Sequence, residues 1–92
     1  MIDKDWWPCF LCGATATERH HAIEGNGRRQ MSEKYGLVYD LCAHCHRTGN
    51  DSVHAHPAGY KAQAIKQSAQ MRFEREYGTR EDWIRMFGRN YL

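Results

Sequence analysis

Ninety-two residues make one small domain with a thin core, and folds of this size often need a staple. A formal net charge of +2 is too small to establish a nucleic-acid partner, although nine arginines against four lysines favour planar phosphate contacts. No stretch approaches membrane-spanning length, and the first eight residues hold no apolar signal region, so the expected setting is cytoplasmic and away from membranes.

Residues 1–8 read as a short arm, with Trp6, Trp7 and Phe10 expected to cover a metal site rather than stack on bases. Pro8 stiffens the approach to Cys9, and Gly13 fits a turn after Cys12. Residues 15–23 alternate loosely and carry Thr15, Thr17 and Ile23, which favours a strand. Residues 24–34 read as an exposed loop broken by Gly25-Asn26-Gly27. Residues 37–41 form a second short strand, so an antiparallel hairpin with a long loop is expected. The segment from Arg47 to Pro57 is polar, and Gly49-Asn50-Asp51 stops any helix that starts there. Pro57 suits the first turn of a long helix over 58–77. Ala62, Ile65, Ala69, Phe73 and Tyr77 make its apolar stripe, with Gly78 at the C′ position. Thr79 with Asp82 resembles a capping box for a last helix, 80–87, which buries Trp83, Ile84 and Phe87 and ends at Gly88. The chain thus reads as one domain, 1–92, with a core over 9–56 and a helical extension over 57–92.

Cys9 and Cys12 form one Cys-x-x-Cys pair, Cys42 and Cys45 another, with 29 residues lying between Cys12 and Cys42. In a reducing compartment such pairs are metal ligands more often than disulfides, and four thiolates suit one tetrahedral structural zinc. Such a zinc supplies about 10–16 kcal/mol of apparent folding free energy, more than a core of this size nets.

Six histidines accompany the cysteines. His20 and His21 are adjacent, and on a strand their side chains point to opposite faces. One can hold a metal while the other faces substrate as a base. His46 follows Cys45 directly, so a zinc there would fix its position. His54 lies eight residues on, close enough to return to the same pocket. His44 and His56 read as incidental. Arg19, Arg28, Arg29, Lys34 and Arg47 flank these positions and are candidate phosphate contacts.

Cys9-x-x-Cys12, His20-His21-x-Ile23-x-Gly25, an arginine-bearing loop and Leu41-Cys42-x-x-Cys45-His46 resemble the zinc-containing branch of the HNH (ββα-metal) nucleases. More narrowly they are similar to small phage and prophage HNH proteins, including recombinase-dependent nucleases that enhance recombination. The resemblance covers residues 9 to about 56 and implies an α+β fold, a β-hairpin followed by a helix that clasp one divalent cation. It implies metal-dependent endonuclease activity on DNA, by nicking, in a protein encoded by a phage or prophage. By resemblance His20 is a ligand of the catalytic cation, His21 the general base and His46 a further ligand. His54 is the expected third ligand, with Asn50 as rival because it lies four residues after His46. The cation would be Mg²⁺, Mn²⁺, Ni²⁺ or Zn²⁺, and the expected partners are DNA and a recombinase filament or phage packaging and recombination proteins. The sequence departs from the pattern at Leu37, where the family's middle asparagine usually stands nine residues before the final histidine. Either another group, Tyr39 or Asp40, is then expected to take over the brace of the base, or the active site is weakened. The competing expectation is a non-catalytic zinc-binding module that contacts nucleic acid or protein.

Overall fold

The computed structural model describes residues 7–23 and 28–92. The expectations for Trp6 and for the Gly25-Asn26-Gly27 break lie outside these residues, and the side chains of Arg28 and Arg29 are likewise outside the description. In chain order the elements are β1 (Glu18–His21), α1 (Arg28–Lys34), β2 (Val38–Leu41), a π-helical turn (His44–Thr48), α2 (Tyr60–Glu76) and α3 (Arg80–Phe87). The fold is α+β: a two-stranded antiparallel hairpin packed with helices.

In the hairpin Glu18 pairs with Leu41, Arg19 with Asp40, His20 with Tyr39 and His21 with Val38. Both strands are four residues long, shorter than the sequence suggested: β2 gives way at Cys42 to the second cysteine turn, and before β1 only the Thr17 amide still reaches across, to the Leu41 carbonyl. The long connection is not a plain loop. Residues 28–34 are helical, and this corrects the expected loop over 24–34. Seven residues are too few to hold a helix by propensity, so tertiary contacts must do so. Ser32 is fully buried and its hydroxyl bonds the Ile23 carbonyl, while the Leu37 amide donates to the Ser32 carbonyl at 2.7 Å. Gly36, at φ +70°, lets the chain leave α1 and enter β2, a conformation a side chain would strain.

The main core lies between the hairpin and the two long helices, built from Leu37, Tyr39 and Leu41 with Ile65, Ala69, Phe73, Trp83 and Phe87. Tyr39 is buried and ties β2 to α2 through its hydroxyl, which donates to Ser68 Oγ at 3.0 Å. Helix α2 starts three residues after Pro57 rather than around it, with Gly59 as N-cap. Tyr77 was expected on the buried stripe but stands beyond the helix end, exposed, with its ring 5.0 Å from that of Tyr35. Gly78 does sit one past the C-cap, but its φ is not positive. A β-carbon there would come 2.8 Å from Asp82 Oδ2, so close approach favours glycine. In α3 the Thr79–Asp82 capping box forms in both directions, and Gly88 closes the helix at φ +97°. Trp83 and Phe87 are buried, whereas Ile84 is exposed and not part of the core. Buried Gln70 pins the C-terminal tail: its side chain accepts from the Tyr91 amide at 2.7 Å and donates to Asn90 Oδ1 at 2.7 Å.

Candidate metal centres and their flanking carboxylates

The two Cys-x-x-Cys turns meet. After Cys9 the Gly13 amide returns to the Cys9 carbonyl at 2.9 Å, and Gly13 takes φ +82° to make that turn. After Cys42 the His46 amide returns to the Cys42 carbonyl at 3.0 Å. The Phe10 amide donates to the Asp40 carbonyl, which ties the first turn to the end of β2. As a result the sulfurs of Cys9, Cys12, Cys42 and Cys45 all lie within 4.8 Å of one another, and none is in a disulfide.

The spacing fits the group. A tetrahedron of sulfurs about 2.3 Å from zinc has edges of about 3.8 Å, and the Cys12 and Cys42 sulfurs are 3.6 Å apart. The four-cysteine cluster is compatible with structural zinc. Burial pushes the Cys45 thiol up to about 12, helped by the Cys12 and Cys42 sulfurs and opposed by Lys61. For Cys9 burial acts in the same upward direction, but the amides of Cys42, Cys12 and Leu11 bring it down to about 6. A dication would reconcile these demands by holding all four as thiolates. Lys61 sits 3.4 Å from Cys45 Sγ and 3.2 Å from Asp51, where its charge would offset that of metal-bound thiolates. Phe10 and Trp7, expected to cover this site, are both largely exposed; the Phe10 ring packs edge-on against Tyr39 at 4.7 Å.

The second cluster grows from the same turn. Cys45 and His46 are consecutive on the π-helical turn, a geometry that widens the helix and often marks functional positions. The following loop folds back on it: the Val53 amide donates to the Cys45 carbonyl and the His54 amide to the His46 carbonyl. Gly49 makes this return possible, since a β-carbon there would lie 2.6 Å from the His44 carbonyl oxygen. His54 is thereby laid over His46, with their Nε2 atoms 3.0 Å apart. His20, buried on β1, completes the group, its ring centroid 5.1 Å from that of His46 and 6.0 Å from that of His54. One ring nitrogen from each of the three lies within 4.8 Å of the others.

Two lone pairs facing each other at 3.0 Å repel unless a proton or a cation lies between them. That separation equals the edge of an octahedron with bonds of about 2.1 Å, so His46 and His54 could be neighbouring ligands of one divalent cation, with a His20 nitrogen within 4.8 Å of both. Burial, with the neighbouring His46 and His54, lowers His20 to about 4, which keeps it neutral and able to ligate at physiological pH. Asn50, the rival third ligand, is exposed on the loop; His56 is exposed there too, and His44 is exposed at the start of the π-helical turn.

Two carboxylates, neither singled out in the sequence, organise these histidines. Glu18 lies two residues before His20 on the same face of β1, and its Oε1 is 2.7 Å from His46 Nδ1. It also accepts from Arg47 Nε, at 3.0 and 2.9 Å. Arg47 first, and then His46, hold the Glu18 carboxyl down to about 2. An ionised Glu18 requires a proton on His46 Nδ1, which leaves Nε2 as the free lone pair directed at the cluster. The strand period could have shown that Glu18 shares a face with His20; only the fold brings His46 to it.

Glu33 does the corresponding work on the opposite face. His21 points away from His20, and its Nε2 lies 2.6 Å from Glu33 Oε2 on α1. Arg19, two residues earlier and on the same face, donates to Glu33 Oε1 at 3.2 Å. The expected brace from Tyr39 or Asp40 is not found: the Tyr39 hydroxyl is used by Ser68, and Asp40 is exposed on β2. Leu37, where the resemblance would have put an asparagine, is fully buried in the core. Of the arginines expected to grip phosphate, Arg19 and Arg47 are thus each paired with a carboxylate, both with outward-facing guanidinium groups. Lys34 lies near the Tyr35 ring.

No helix among the described residues is long and apolar enough to cross a membrane. No protein-family model, curated protein or solved structure matches this chain.

Proposed function

We propose that this protein is a metal-dependent endonuclease of the HNH type, cutting phosphodiester bonds in DNA by nicking. The observation that carries the reading is the convergence of His20, His46 and His54 on one point while the adjacent His21 faces the other side of the strand. The ββα-metal arrangement is part of the same proposal: hairpin, π-helical turn and returning loop would together clasp the cation.

A divalent cation at the three imidazoles would neutralise charge on the scissile phosphate and on the departing 3′ oxygen. Neutral ligands leave that charge largely uncompensated, which suits an anionic substrate. His21 takes the proton from the attacking water. A P–O bond forms to the water oxygen, the bond to the 3′ oxygen breaks, and that oxygen takes a proton from solvent. Arg19 and Arg47 would hold flanking phosphates by turning part of their donor set outward, and Arg28 and Arg29 are assigned the same role from their place in the chain. A role beside a recombinase filament or phage packaging proteins belongs to this proposal too, and rests on the sequence resemblance alone.

The test is cleavage of supercoiled plasmid by zinc-loaded protein with added Mg²⁺, Mn²⁺ or Ni²⁺. Nicked circles are expected with the parent and lost with His21→Ala at unchanged zinc content. Should His21→Ala cut like the parent, the base assignment is wrong. Should the parent bind DNA yet never cut with any of these metals, the non-catalytic zinc module is the better reading; the pairing of Arg19 and Arg47 with carboxylates is what favours it now.

A further inference from the structure

We infer that Glu33 is a positioning residue for His21: it fixes the imidazole as the Nε2–H tautomer and so presents Nδ1 as the proton acceptor. This rests on the endonuclease reading for its consequence in catalysis, though not for its structural content.

An ionised carboxylate accepts and cannot donate, so a 2.6 Å contact between Glu33 Oε2 and His21 Nε2 requires the proton on Nε2. A neutral imidazole with Nε2 protonated has its lone pair on Nδ1 alone. Among the described residues the ring is held through Nε2, and its basic nitrogen is turned from the carboxylate. Glu33 is itself held. Its second oxygen takes the Arg19 guanidinium at 3.2 Å, and its backbone belongs to α1. That helix is anchored through Ser32 to Ile23, two residues beyond His21. The short helix inside the hairpin therefore has a use: it carries a carboxylate back to the strand it left.

The arrangement on the two faces of β1 is parallel. Glu18 sets the tautomer of His46 through Nδ1 and frees Nε2. Glu33 sets that of His21 through Nε2 and frees Nδ1. The pairs are separate in space and in residue, so each can be removed alone. Among the described residues Glu33 is the carboxylate in contact with His21, which makes it the replacement for the asparagine that Leu37 displaces.

Glu33→Ala and Glu33→Gln in the zinc-loaded protein give the test. Long-range nitrogen–proton correlation spectra, recorded where the imidazole is neutral, should show His21 as a single Nε2–H tautomer in the parent and as a mixture in Glu33→Ala. In plasmid nicking, kcat should fall about 10- to 100-fold with KM within twofold, the size typical of removing a group that orients an active-site histidine. Glu33→Gln, whose amide oxygen still accepts from Nε2–H, should recover part of the loss. Zinc content and melting midpoint should stay at parental values, since Glu33 is exposed. An unchanged tautomer in Glu33→Ala overturns the inference whether or not the protein cuts. So does parental kcat in a parent that cuts. If the parent never cuts but the tautomer shifts as expected, the enzyme reading fails and the positioning of His21 stands.

Discussion

Removing the Glu18 carboxylate is the sharpest probe of the histidine cluster. Glu18→Ala deletes the acceptor 2.7 Å from His46 Nδ1 and releases Arg47, while leaving the four cysteines and the three imidazoles in place. His46 is only lightly exposed, and among the described residues Glu18 is the side chain that meets its Nδ1, so its ring loses the partner that defines its tautomer. A share of the neutral population would then place the proton on Nε2, the nitrogen that faces His54. Loss of an outer partner of this kind weakens metal binding about 10- to 100-fold. Calorimetric titration of the zinc-loaded protein with Mn²⁺ or Ni²⁺ measures this directly, and elemental analysis should still find one zinc per chain. Glu18→Gln, which keeps an acceptor but not the charge, should fall between the two. Nicking by Glu18→Ala should recover at higher metal concentration, because the defect lies in affinity. If Glu18→Ala binds Mn²⁺ and Ni²⁺ within twofold of the parent, the carboxylate does not organise His46 and the metal-site argument fails at its best-supported link.

Three further outcomes are expected. Cys42→Ser should lose zinc and unfold in circular dichroism, because the metal's contribution of about 10–16 kcal/mol exceeds the stability of a domain this small; a variant melting like the parent would rule out a zinc-stapled fold. Gly49→Ala would place a β-carbon 2.6 Å from the His44 carbonyl, so the loop carrying His54 should shift, at a cost of about 1–3 kcal/mol in urea denaturation together with weaker metal binding; parental values for both would show that the loop gives way freely. For His20 the folded value of about 4 lies below the ordinary 6.5, so the unfolded chain binds more protons between those limits and stability falls as pH drops through that window. Between pH 7 and 5.5, without added divalent metal, the parent should lose about 1 kcal/mol more than His20→Asn; equal losses would mean that His20 is not buried as a neutral ring.

The local rules written in the sequence determined a good deal. Two Cys-x-x-Cys spacings placed the sulfurs two by two, because each pair is a self-contained turn, and their number pointed to one four-sulfur group. The period-two geometry of a strand separated His20 from His21 without any knowledge of what each would meet. Thr79, Asp82 and Gly88 marked the last helix to the residue, since capping is a contest among near neighbours. Helix α1 escaped that reading: its seven residues hold as a helix through Ser32, whose hydroxyl reaches Ile23, and the following Tyr35, whose ring packs on Phe73, contacts that only the folded chain provides. Ile84 and Tyr77 had the right spacing for burial, but the packing of α3 and the end of α2 left both exposed. The sequence expected His54 beside His46, but the tertiary structure alone set their Nε2 atoms face to face and brought Glu18 onto His46 and Glu33 onto His21. Such pairs join segments 8, 28 and 12 residues apart, and no local propensity encodes which carboxylate a ring will meet. What the chain states directly is its stock of ligands; which nitrogen of each ring is left free is decided by the acceptor that folding sets against the other one.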